Sequence, residues 1–130
     1  MAGFSDYLEG KVLKHVFGGS AYTAPGTLHV ALYTVAPTDT GGGTEVSGGG
    51  YARQTAAFTV SGTNPTQASN TSAIEYPTAT SAYGTVVAVG IFDASSSGNL
   101  LAYANLTSSK VVSTGDVFRF NAGDLDITLA

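Results

Sequence analysis

The stretch DTGGGTEVSGGGYARQTAAF, residues 39–58, carries two glycine triplets, Gly41–Gly43 and Gly48–Gly50. Glycine-rich loops can cradle phosphate, so this is the first place to look for chemistry. A Walker-type loop needs two glycines five positions apart, followed at once by a lysine that reaches the phosphates. Gly43 and Gly48 have that spacing, but Gly49 stands where the lysine belongs. An alternating segment follows instead of a helix, so no helix N-terminus is offered to an anion. The dinucleotide fingerprint is absent for the same reason. The triplets read instead as a long, pliable connection whose glycines permit positive φ and close backbone approach.

Histidine and carboxylate chemistry is equally thin. There are two histidines, His15 and His29. His15 falls at the end of a helical segment, and His29 lies out of phase with its apolar neighbours, so it is expected to face solvent or a partner. A catalytic triad needs a histidine oriented by an acid and touching a nucleophile, and no G-x-S-x-G elbow supports one. Asp116, Asp124 and Asp126 cluster near the C-terminus without the regular spacing of a calcium loop. They read as a solvated face, with Arg119 placed to pair with one of them or to reach a neighbour. Two sequons, at Asn70 and Asn105, carry little meaning without a secretory signal. No cofactor and no metal is expected, and no catalytic residue is assigned.

Composition closes off other classes. Five Lys and Arg against nine Asp and Glu give a net charge of −4, so no basic patch can neutralise many phosphates and nucleic acid is not an expected partner. No cysteine is present, which removes disulfides, thiolate metal sites and cysteine nucleophiles. The start, MAGFSDYLEGK, lacks a basic region and an apolar run, and no stretch approaches the ~18 apolar residues of a membrane span. Synthesis in a host cytoplasm and no membrane partner are expected. Charged residues make up only 11% of the chain, which leaves its surface weakly protected against association, so a homo-oligomer is expected.

The elements follow from periodicity. Ser5 is a helix N-cap, Asp6 and Glu9 suit the first turn, Lys14 and His15 suit the last, and Gly18 and Gly19 stop the helix near Phe17. Phe4, Leu8, Val12 and Val16 form one stripe, with Leu13 and Phe17 off it, so the apolar face is wider than one packed surface needs. Beyond Gly19 the pattern alternates. Segments 28–34, 51–60, 72–76, 84–93, 100–106, 116–122 and 125–129 read as strands, and 61–72 reads as a long exposed loop. Val30, Leu32, Phe58, Val87, Val89, Ile91 and Phe120 are the expected core, with Val60 sharing the face of Phe58. The expected fold is a single domain over residues 1–130. It is all-β, an antiparallel β-sandwich (jelly-roll or Ig-like) with one short N-terminal α-helix.

Four segments together resemble a family of small structural proteins of tailed bacteriophages, variously tail-fibre, minor structural or capsid-decoration proteins. They are SDYLEGKVLKHVFGGSAYTAP, LHVALYTVAPTDTGGGTEVSGGGYARQ, IEYPTATSAYGTVVAVGIFDASSSGNLLAYANLT and VSTGDVFRF, which cover nearly the whole chain. The resemblance implies a non-enzymatic virion protein whose partners are other phage structural proteins, either the major capsid protein or tail proteins. Capsid decoration or cement is the first reading. A tail or tail-fibre component is the alternative, and a carbohydrate-binding receptor module stands behind both. Leu13 and Phe17 on the helix, Gly41, Gly42 and Gly43 in the loop, and Tyr51 and Arg53 after it are the expected interface residues, the last two being types enriched at hot spots. Because the phosphate-binding lysine is missing and the chain is acidic, calorimetry with ATP or GTP is expected to show no saturable heat; micromolar binding would overturn that reading.

Overall fold

A computed structural model describes residues 3–129. After β1 (Gly3–Phe4) comes the helix α1 (Asp6–Val16). Then follow β2 (Leu28–Val35), β3 (Thr44–Glu45), β4 (Gln54–Ala56), β5 (Phe58–Ser61), β6 (Thr66–Asn70) and β7 (Ile74–Glu75). The chain continues through β8 (Gly84–Phe92), β9 (Leu100–Val112), β10 (Arg119–Phe120) and β11 (Asp126–Leu129). All pairings are antiparallel. The main sheet runs β1-β9-β8-β2-β3, with β4 also on β2; a second sheet is β11-β6-β5, and β10 pairs with β7.

Alternation explains the main sheet. Val30 and Leu32 of β2 face Val89 and Ile91 of β8 in the same layer, and Ala102 of β9 joins them. The small sheets close over this face with Phe58, Ile74, Phe120 and Ile127, and Leu125 is buried with them. The result is an all-β sandwich with one N-terminal helix. An aromatic column stands inside it: Tyr76 stacks on Tyr51 at 6.1 Å and meets Phe118 edge-on at 5.8 Å. The tyrosines here fill the core and offer no open platform to a ligand.

The other face of the main sheet is covered as well. Ala31 and Tyr33 of β2, Ala88 and Phe92 of β8, and Leu100 of β9 form a second buried cluster. Val87 is half-buried against this cluster and does not lie in the main core. His29 shares the side of Tyr33; it is half-buried rather than facing open solvent, and its Nδ1 is enclosed without a hydrogen-bond partner.

Several expected elements change. The segment 51–60 is two strands in two sheets, since β4 pairs with β2 and β5 with β6. After that switch Val60 is exposed, at 68%, and only Phe58 leans on the core. The expected loop 61–72 contains β6, the middle strand of its sheet. Its polar side chains do not need an apolar face, because two backbone ladders hold it. Asn70, 2% exposed, ends that strand and receives the N–H of Leu125 while its amide donates to the carbonyls of Ser72 and Asn121. A residue so enclosed is not a glycan acceptor.

Tyr76, 1% exposed, donates its hydroxyl to the Val30 carbonyl at 2.8 Å, tying the small-sheet layer to the main sheet. Tyr76→Phe removes that bond alone and should cost about 1 kcal/mol in urea unfolding. Tyr76→Ala also empties the aromatic column and should cost about 3–5 kcal/mol. Equal effects of the two would show that the hydroxyl, not the ring, carries the contribution.

Candidate functional site

The expected site residues fall into three places. Tyr51 and Arg53 are half-buried, in a cluster with Glu45. The Arg53 guanidinium makes a two-pronged pair with the Glu45 carboxylate, Nε to Oε2 and Nη2 to Oε1, both at 2.9 Å. Its Nη1 donates to the carbonyls of Ala94 at 3.0 Å and Ser97 at 2.9 Å, and its plane covers the Phe92 ring at 3.7 Å. The Tyr51 hydroxyl donates to Glu45 Oε2 at 2.6 Å and accepts from the Leu32 N–H at 3.0 Å. The Arg53 side chain is 7% exposed. These groups spend their hydrogen bonds within the chain.

Burial alone pushes the Glu45 carboxyl up. The hydrogen bonds from Arg53 and Tyr51, together with the Arg53 charge, outweigh it and hold the group below its ordinary value of 4.5. Burial raises the Tyr51 hydroxyl strongly, and its bond to Glu45 raises it further, so it stays protonated. Burial likewise pushes Tyr33 up to about 12. The cluster is a fixed charge pair without a group poised to exchange protons near neutral pH. Glu45 was not among the expected site residues. The available signal was an acid inside a glycine-rich stretch, followed by Tyr-x-Arg, in a chain with few charges.

Gly41, Gly42 and Gly43 form a loop that holds its own shape. Thr38 and Gly41 exchange backbone hydrogen bonds at 2.8 and 2.9 Å, the Asp39 carbonyl accepts the N–H of Asp6, and the Asp39 carboxylate accepts the Tyr103 hydroxyl. Gly43 has φ +73°, and a Cβ there would stand 2.6 Å from the Val35 carbonyl oxygen. Flexibility inferred from glycine content is here a conformational demand of a tight return.

Leu13 lies on α1 and Phe17 is its C-cap; no residue of the helix is buried. Its start is anchored: Ser5, 2% exposed, accepts the Leu8 N–H, donates to the Leu100 carbonyl, and bonds through its own N–H to Leu101. Its end is closed by the N–H groups of Gly18 and Ser20 on the Lys14 carbonyl and by Tyr22 N–H on His15 Nδ1 at 3.0 Å. Tyr22 also meets Tyr7 edge-on, and Lys11 lies over the Tyr7 ring. Leu8 and Val12 are half-buried, while Leu13 is 58%, Val16 61% and Phe17 82% exposed. Val16 thus leaves the expected inward stripe and joins Leu13 and Phe17 outside.

No catalytic arrangement forms. Among the described residues neither histidine bonds to a serine or an acid, and no cluster of His, Asp and Glu could hold a metal. Asp116 and Asp124 each accept a backbone N–H three residues earlier, from Ser113 and Asn121, and Asp126 accepts from Ser69. Arg119 pairs with Glu75, its cross-strand neighbour, at 3.3 Å, and not with these aspartates. An open groove of about 680 Å³ runs between β9 and the segment from Phe118 to Ile127. Its acids and Arg119 are the groups just described, already partnered. No helix among the described residues is long and apolar enough to cross a membrane.

The architecture is that of a small antiparallel β-module with an anchored but largely uncovered helix. The family described as "Podophage GP4 fiber I protein gp80" matches residues 3–128, and the chain belongs to that family. No curated protein matches the chain.

The Glu45–Arg53 pair makes a testable claim. A carboxyl held low in the folded state contributes stability that is present above its unfolded value and lost as pH falls through the folded one. Glu45→Gln should therefore unfold at lower temperature than wild type at pH 7, and the gap should shrink as pH drops below about 4.5. Arg53→Ala, which leaves the part-buried Glu45 carboxylate with only its Tyr51 bond, should cost about 1–3 kcal/mol at pH 7. Thermal melts from pH 3 to 7 check both; a pH-independent gap for Glu45→Gln would overturn the pairing.

Proposed function

We propose that this chain, folded as one domain, is a non-catalytic structural subunit of a podophage fibre, and that it associates through the outward face of α1. The family match supports the fibre, and favours it over capsid decoration, the first reading of the sequence. The observation that carries the attachment surface is the helix itself. It is fixed at both ends yet buries no residue, and it presents Leu13, Val16 and Phe17 to solvent. Apolar side chains gathered in that way mark a contact surface. The partners are then tail and fibre proteins, including further copies of the chain, and not the major capsid protein. The protein is a virion component without cofactor, nucleic acid or membrane as partner.

Immunogold labelling of intact virions tests the location. Gold confined to the tail fibres is expected; gold spread over the capsid shell would restore the decoration reading. Leu13→Ser with Phe17→Ser should leave the circular dichroism of the β-domain unchanged and reduce the copies carried per virion. Wild-type incorporation of that folded variant would move the attachment surface elsewhere.

A further inference from the structure

Gly10 sits in the middle of α1, where glycine costs a helix about 1 kcal/mol relative to alanine. Nothing inside the protein calls for it. A Cβ at Gly10 would meet no atom within 4 Å outside its own helix, and its φ is not in the left-handed region. A glycine that is neither turned nor crowded within its own chain leaves room for something outside it.

The surroundings of Gly10 say what fits. Helical spacing puts Asp6, Glu9, Gly10 and Leu13 at positions i, i+3, i+4 and i+7, the four corners of a hole that receives one side chain from a facing helix. On this patch Asp6, Glu9 and Leu13 are exposed and Gly10 is half-buried. The opposite side carries half-buried Leu8 and Val12, and the flank beside Tyr7 is covered by Tyr22. The side chain next along this open face is Leu13, 58% exposed, with Phe17 beyond it. Knob and hole thus lie on the same surface, which is the condition for a twofold, self-complementary contact.

We infer that α1 pairs antiparallel with α1 of a second copy, Leu13 of each helix seating in the Asp6–Glu9–Gly10–Leu13 hole of the other. In this register the two helices cross level with Lys11 and Val12. The acidic first turn, Asp6 and Glu9, then stands level with the partner's last turn, which carries Lys14, and the helix dipoles oppose. A parallel pair would set acid against acid and base against base. Val16 and Phe17 extend the apolar contact along the partner's first turn. The missing Cβ of Gly10 lets the two backbones approach, and Leu13 fills the space.

The inference rests on the reading of α1 as the association surface but is tested apart from the virion. Sedimentation of the purified full chain at about 1–100 μM should show a monomer–dimer equilibrium in the ordinary range of weak homodimers. Leu13→Ser should raise its dissociation constant by at least about tenfold. Gly10→Leu fills the hole and should do the same while circular dichroism reports an intact or more helical fold. Gly10→Ala is the sharper variant: it should raise thermal stability and weaken the dimer together, which a purely structural glycine would not do. A chain that stays monomeric throughout, or a dimer indifferent to Leu13→Ser and Gly10→Leu, overturns the pairing. Gold labelling of the fibre alongside a monomeric purified chain would reject the helix pair and leave the fibre assignment standing. Gold on the capsid with an intact helix-dependent dimer would do the reverse.

Discussion

The Arg53 guanidinium has almost no access to water, and the arrangement around it depends on its being satisfied. Removing a cation from solvent costs several kcal/mol unless opposite charge and acceptors replace the water. Here Glu45 supplies the charge, the carbonyls of Ala94 and Ser97 supply acceptors, and the Phe92 ring covers one face. Each partner comes from a different part of the chain. Glu45 is in β3, Arg53 precedes β4, and Ala94 and Ser97 lie in the connection between β8 and β9. Tyr51 links the cluster onward to the backbone of β2 through Leu32. A lysine could not reproduce this, because a single ammonium lacks the planar fork that reaches a carboxylate and two carbonyls together.

This pair solves a topological problem. Both β3 and β4 lie along the same side of β2, β3 opposite Tyr33 and Val35, β4 opposite Leu28 to Val30. The chain between them must leave the sheet and come back within a few residues. Gly48–Gly50, all at positive φ, make the reversal, and the Tyr51 N–H returns to the Gly48 carbonyl. The ion pair then clamps the two ends of the excursion over the second buried cluster. The glycine stretch that could have been a phosphate cradle is the hinge region of an internal bolt, and its backbone geometry is spent on a sharp return.

The sequence was legible where local chemistry and tertiary demand agree. Ser5, Asp6, Glu9, Lys14 and Gly19 each favour the helix that forms, and its limits follow. The alternation of β2 and the apolar run of β8 place Val30, Leu32, Val89 and Ile91 in the core. It was illegible where one segment serves two sheets or where backbone pairing substitutes for apolar patterning. Residues 51–60 read as one strand because nothing at Ala57 punctuates the switch from β4 to β5. TQASN looks like a loop because its side chains carry no period, yet its N–H and C=O groups bond on both sides. Leu100–Val112 runs past its apolar half because Lys110–Val112 continue the ladder with Gly84–Val86 of β8. At the site, composition led to the exposed pair Leu13 and Phe17. It also led to Tyr51 and Arg53, whose hydrogen bonds stay within the chain, because residue types that anchor interfaces also brace loops.

What sets α1 apart is how little of its stability comes from packing. An isolated helix of this length is marginal in water, and helices in proteins normally persist by burying an apolar face. This one buries no residue and carries a central glycine. It is held by its ends: a nearly inaccessible serine cap bonded to β9 at one, and a glycine-terminated turn with Tyr22 bonded to His15 at the other. Such end-fixing sets the direction of the helix without covering its side, so the side stays available. In a chain with so few charges, where the Arg53–Glu45 pair is largely shielded and the glycine loops are braced, that side gathers Leu13, Val16 and Phe17 on one short stretch. A fibre subunit needs a rigid body with a defined place to hold its neighbours. The sandwich supplies the body, and in the proposed assembly the exposed helix, oriented by its caps, supplies the place.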